Sequence, residues 1–167
     1  LTGVNNNIRG NYPQASGSPT RGIPGTAVTS GTGETLLLAA RIPLGSVKVG
    51  DQFQLELHGI SSSTGTVIFP VKVGANGTTG DNIAWTSITS AAQVANQRGG
   101  FRGLLTVRSL TTVQVECLGY AQAALLPTVV GAVGTAVIAS SAIWYIDLLA
   151  ACSSGTFTAQ QASVTPL

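Results

Sequence analysis

Hydrophobic and polar positions alternate most cleanly from Gln52 to Ile60, where Phe53, Leu55 and Leu57 fall on one side and Gln52, Gln54, Glu56 and His58 on the other. A period of two sends successive side chains to opposite faces of an extended chain, so this run predicts a strand buried on one face only. Comparable short runs rich in Val, Ile, Thr and Leu predict strands at Glu34 to Ile42, Gly65 to Val73, Asn82 to Ile88, Phe101 to Arg108, Thr112 to Gln122, Gly134 to Ser140, Ile143 to Ala151 and Thr156 to Thr165. Turn chemistry separates them: IPLGSVKVGD from Ile42 to Asp51, Asn76-Gly77, and Ser153-Ser154-Gly155. Ser87 to Asn96 has room for one or two helical turns, and no longer helix is predicted. Short strands divided by turns point to an all-β chain, an antiparallel β-sandwich of jelly-roll-like form.

Two segments break this rhythm. Residues 1–33 are rich in Gly, Pro, Asn, Ser and Thr and have no apolar period, so alone they bury too little to offset the entropy of ordering. They are expected to form an extended N-terminal arm held by a neighbouring subunit or, as the alternative, wrapped on its own sandwich, with the sandwich domain over 34–167. The second segment runs from Ala123 to Ile146, uncharged and long enough to cross a bilayer. Pro127, Gly131, Gly134 and Ser140-Ser141 interrupt it, and β-branched residues predominate where Leu would be expected. No Lys or Arg lies close by to set an orientation. Buried strands joined by an apolar inter-subunit loop are expected there, and no membrane partner.

Composition adds a statement about the surface. The 167 residues suffice for one domain with a real core, yet only 8% are charged, against about 25% in ordinary soluble domains. Such a surface is Thr, Ser, Asn, Gln, Gly and Ala, and it favours association over solvation. Eight basic residues are set against six acidic ones without any block of like charge. Arg98, Arg102 and Arg108, with Arg102 and Arg108 of the same parity on their strand, come nearest to a basic stripe and are read as solvated or interface arginines, so no nucleic acid is expected as a partner. Cys117 and Cys152 each stand in an apolar run and are expected to be reduced. The sequence holds no Met, and Leu1 is not a residue before which an initiator is trimmed; it follows a processing site or earlier residues of a longer chain. No signal peptide is visible at this start.

Candidate chemistry is sparse. His58 is the single histidine, placed on the polar face of its strand, so any Ser-His-Asp or Cys117-His58 arrangement would depend on it. One His, two distant Cys and scattered carboxylates give no zinc or calcium spacing. Asp51, Glu56, Asp81 and Asp147 offer no evident pair for glycoside hydrolysis. Asp147, isolated in an apolar strand, would need a buried partner such as Arg41 or Arg108. No phosphate loop is present, and Asn76-Gly77-Thr78, although it matches a glycosylation sequon, is read as a turn. The expectation is a non-enzyme with no catalytic residues, no cofactor and no metal.

The stretch Glu34-Thr35-Leu36-Leu37-Leu38-Ala39-Ala40-Arg41-Ile42-Pro43, followed by Gly45 and by Val49-Gly50-Asp51, resembles the opening of small β-sandwich modules in virion proteins of tailed bacteriophages. There a strand ending in Ile-Pro leads through a Gly-containing turn to Gly-Asp and a second strand. Phe157 to Val164 resembles their closing strand, so the likeness spans roughly residues 34–165. What the resemblance implies is a virion structural protein assembled in the host cytoplasm, a jelly-roll-like sandwich and frequent trimerisation. The leading expectation is a capsid decoration or cement protein that binds copies of itself and the major capsid protein at the outer head surface. The alternative is a tail-fibre or receptor-binding module presenting Trp85, Tyr120, Trp144 or Tyr145 to a glycan.

Overall fold

The computed structural model describes residues 20–22, 24–43, 46–62, 65–86, 96–109, 111–121, 124–125, 129–130, 134–135 and 144–167. Fourteen strands lie among them: β1 (Thr20–Arg21), β2 (Ala27–Thr29), β3 (Thr35–Ile42), β4 (Gln52–Ser61), β5 (Val67–Ile68), β6 (Pro70–Gly74), β7 (Asn82–Thr86), β8 (Arg98–Ser109), β9 (Thr112–Ala121), β10 (Ala124–Leu125), β11 (Val129–Val130), β12 (Gly134–Thr135), β13 (Trp144–Cys152) and β14 (Thr156–Pro166). They form two antiparallel sheets packed face to face, the jelly-roll-like β-sandwich expected. The larger sheet has the order β1-β14-β4-β8-β9-β10, with β2 also on β14 and β11 and β12 also on β9. The smaller has the order β3-β13-β6-β7, with β5 on β13.

Alternation determines which side chains fill the space between the sheets. Along β4, Phe53, Leu55 and Leu57 point inward and are buried, while Gln52 and Gln54 face water. β13 is buried nearly throughout, and its inward residues Trp144, Ile146 and Leu148 meet those of β4, β8 and β14 in one core. The aromatic rings touch one another: Phe69 stands 5.3 Å from Phe157, Trp85 5.4 Å from Phe101, and Phe53 packs edge-on to Trp144 at 6.0 Å. Each such contact adds about 0.5–1.5 kcal/mol beyond the burial of area. Trp85 and Trp144, expected as tip residues of a glycan-binding module, are therefore core residues, 1% and 2% exposed. Both belong to strands of the smaller sheet and face its inner side, and an indole is too large an apolar surface to leave outside when the core can take it.

The segment read as an arm divides. Residues 1–19 lie outside the described residues, as do 87–95 and most of 122–143. Residues 20–29 are built into the chain's own sandwich, where Thr20 and Arg21 pair with Val164 and Ser163, and Ala27, Val28 and Thr29 with Thr158, Phe157 and Thr156. Main-chain bonds continue between the two short strands, from Gly22 N to Ala162 O at 2.8 Å and from Gly25 N to Ala159 O at 2.7 Å. Without them β14 would leave its outer row of amides and carbonyls exposed as a sheet edge. Among the described residues of this segment, Val28 is the one side chain sunk fully into the core. Among the described residues no helix is long and apolar enough to cross a membrane.

Candidate functional site

The carboxylates noted in the sequence go to different places. Asp51 closes a turn by accepting from Lys48 N at 2.7 Å. Glu56 lies on the water-facing side of the larger sheet. Asp81 and Asp147 come together on the outer side of the smaller sheet, under the loop of residues 75–81.

Asp147 is fully buried, opposite Lys72 on β6 and Ala39 on β3. The groups acting on it are Asp81 and Lys72, so the expected partners Arg41 and Arg108 are not the ones the fold supplies. Register explains this: Arg41 pairs with Tyr145, two positions along, and Arg108 belongs to the other sheet. Two carboxylates side by side hold no donor, and as such neither oxygen of Asp147 is satisfied. A proton on Asp147 provides one, directed at Asp81. Burial chiefly, then the bond to Asp81 and its charge, push the Asp147 pKa up to about 9 against the pull of Lys72.

Asp81 in turn holds the loop above. It accepts from Gly77 N at 2.8 Å and from Asn76 Nδ2 at 3.0 Å. Gly77 sits at φ 63°, where a left-handed turn brings its backbone against the Tyr145 ring; a Cβ there would lie 2.8 Å from Tyr145 Cδ1. Lys72, nearly buried, donates to Glu34 and to Thr79 O, tying the loop to the start of β3. The predicted Asn76-Gly77 turn is thus the lid of a buried polar cluster.

On the far side of the molecule the larger sheet presents a polar face and a concavity of about 290 Å³ lined by His58, Gly59, Arg98, Arg102, Gln160 and Gln161. Glu56 organises it from the middle strand, β4. It accepts from Gln161 on β14 at 2.8 Å, from Gln54 at 3.2 Å, and pairs with Arg102 Nε on β8 at 3.3 Å. His58 is half-buried beside them. Its pKa lies below the ordinary value, first because of burial and then because of Arg102, with Arg98 adding to the effect and Glu56 opposing it. The imidazole is therefore neutral at pH 7.

Of the three arginines grouped in the sequence, Arg98 and Arg102 share this concavity. Arg108 lies on the same strand, six residues beyond Arg102 and so roughly 20 Å away. Cys117 is buried and its thiol pKa is driven upward by that burial; Cys152 is half-buried, with its pKa raised by the same cause. Neither is bonded to the other. His58 and Cys117 lie on opposite faces of the larger sheet, which rules out a dyad between them. No group of three or more His, Cys, Asp or Glu among the described residues is arranged to hold a metal ion.

Two residues of the concavity carry no sequence signal of a site. Gln160 and Gln161, in the middle of β14, are brought out by an irregularity in the β14 register between Ala159 and Gln161. Compared with family models, curated proteins and solved structures, the chain matches none of them.

Proposed function

We propose that this chain is a structural protein of a bacteriophage virion, a decoration or cement protein that binds the outer surface of the head and ties neighbouring capsomers together. The observation that carries the reading is the way residues 20–21 and 27–29 engage β14: by main-chain hydrogen bonds along an edge, with Val28 as a fully buried anchor. A segment that binds in this mode needs only an edge, and an edge of another subunit offers the same chemistry. Residues 1–19 precede it with the same Gly, Pro, Asn and Ser composition and could span at most about 60 Å when extended. The low charge of the surface supports the reading, because it opposes contact with a shell so little. Self-association, as a homotrimer, is part of it.

The test uses shells lacking the protein. Full-length chain is expected to bind them at hundreds of copies per particle, and a chain lacking residues 1–19 is expected to stay folded but to wash off more readily. Equal retention of the truncated chain would remove the arm from the mechanism, and no binding by either would remove the head role. A chain lacking residues 1–33 is not an equivalent reagent, since it also uncovers β14. A tail-fibre or receptor-binding role is the second reading, favoured by the polar concavity around His58. Copy number separates them, with a handful per particle meaning tail.

A further inference from the structure

We infer that the concavity formed by β4, β8 and β14 is a binding site for a carboxylate-bearing sugar unit, such as a uronic acid residue of an acidic polysaccharide. The inference stands on the geometry of this face and holds whether or not the chain coats a particle.

The shape is built into the backbone. Gly100 pairs with His58 across β4 and β8, and the two backbones approach closely beneath the imidazole. No other residue fits: a Cβ at position 100 would lie 1.9 Å from the Leu57 carbonyl oxygen. The opposite wall comes from the irregular register of β14, which exposes both Gln160 and Gln161. Bulges of this kind re-aim side chains and are common beside binding sites.

The charges are held in readiness. Glu56 pairs with Arg102 on its Nε side at 3.3 Å, and the Arg102 side chain is 68% exposed. Its two terminal nitrogens remain for a bidentate carboxylate, the geometry for which arginine is suited. Arg98 brings a second positive charge to the same cavity. One glutamate therefore stands against two arginines, and the site is net cationic at neutral pH with His58 uncharged.

The neutral groups argue for a sugar. Gln161 uses its amide N–H on Glu56 and keeps its carbonyl as an acceptor, and exposed Gln160 offers both a donor and an acceptor. Hydroxyls next to a carboxylate, each able to donate and to accept, match that set. At about 290 Å³ the space is at the bottom of the range for small-molecule sites and suits one polar ring.

The experiment is a titration of isotope-labelled full-length protein with trigalacturonate, followed by NMR at physiological salt. Resonances of Gly59, Gly100, Gln160 and Gln161 are expected to shift saturably, and neutral galactotriose is expected to leave them in place. Arg102→Gln should weaken binding by about tenfold or more, since it removes the bidentate partner. Gln160→Ala should weaken it by about threefold. Both residues are exposed, so the fold is not at stake. Arg108→Gln, on the same strand but outside the concavity, should change nothing. Absence of a saturable shift would overturn the inference. So would an equal response to polyglutamate, or equal weakening by Arg102→Gln and Arg108→Gln, because either would mean diffuse charge attraction in place of a sugar site.

Discussion

The two outward faces of this sandwich treat the same kinds of side chain in opposite ways. On the larger sheet, Glu56, Arg102, Gln54 and Gln161 bond to one another in contact with water. On the smaller sheet, Asp147, Asp81 and Lys72 are buried beneath a loop, and Glu34 closes the group at its rim. In water an ion pair gains little, because solvent competes for both partners. Under the loop the partners have lost their hydration, so every one of them must find protein to bond to or give up its charge. Asp147 takes the second course and Lys72 the first. The comparison teaches that the smaller sheet's polar cluster concerns stability, whereas the larger sheet's polar face is free to bind.

The largest effect should come from Lys72→Met, which removes the cation between Glu34, Thr79 and the carboxyl pair. About 3 kcal/mol of stability is expected to be lost in urea unfolding, since a buried pair is broken on one side only. Loss of less than about 1 kcal/mol, the size of a surface pair, would erase the contrast between the faces.

The next effect, taken over a single pH unit, is a pH dependence. Asp147 holds its proton to about pH 9 in the folded chain, while in the unfolded chain it ionises near pH 4. Between those values the folded state binds the extra proton, so stability is fullest below about pH 4 and declines as pH rises toward 9, by at most about 1.4 kcal/mol per unit. Asp147→Asn keeps a donor toward Asp81 but cannot ionise. Its stability relative to the parent is expected to climb steadily from pH 5 to pH 9, and parallel profiles for the two proteins would show that Asp147 does not carry the slope.

Gly77→Ala tests the lid. The left-handed φ and the Tyr145 ring together should make the change cost about 1 kcal/mol or somewhat more. Amide exchange at Asn76 and Gly77, whose N–H groups Asp81 accepts, is expected to quicken in the variant. The smallest effect is on the other face, where Glu56→Gln should shift stability by no more than about 0.5 kcal/mol. A loss comparable to that of Lys72→Met would mean that the fold depends on this face no less than on the other.

Much of the architecture was legible from local pattern. The alternation of Gln52 to Ile60 becomes β4 with the inward set expected, and seven further runs predicted from composition and turns correspond to β3, β5 with β6, β7, β8, β9, β13 and β14, while of Gly134 to Ser140 only β12 lies among the described residues. Gly65 to Val73 is divided in two at Phe69, which keeps the inward alternation of Val67 and Val71. The strands of residues 20–29 were not legible, since their few side chains carry no apolar period and their pairing is made by backbone atoms that every sequence has. The concavity was half legible: the parity of His58 placed it outward, but nothing local brings Arg102 and Gln161 to the same glutamate.

What the sequence by itself determined is the character of each strand, because a period of two and a turn residue act over a few neighbouring positions. Inward and outward faces, the turns at Gly50-Asp51 and Asn76-Gly77, and the scarcity of charge all follow from it. What only the tertiary structure decided is which outward-facing positions would stay outside. Asp147 and Glu56 are both acidic residues, Glu56 on the polar side of an alternating strand and Asp147 alone in an apolar one. One is sealed under residues 75–81 and keeps its proton, and the other anchors a wet network between three strands. Their difference arises from contacts between residues far apart in the chain, made by register and by the path of one loop, and local pattern holds no record of either.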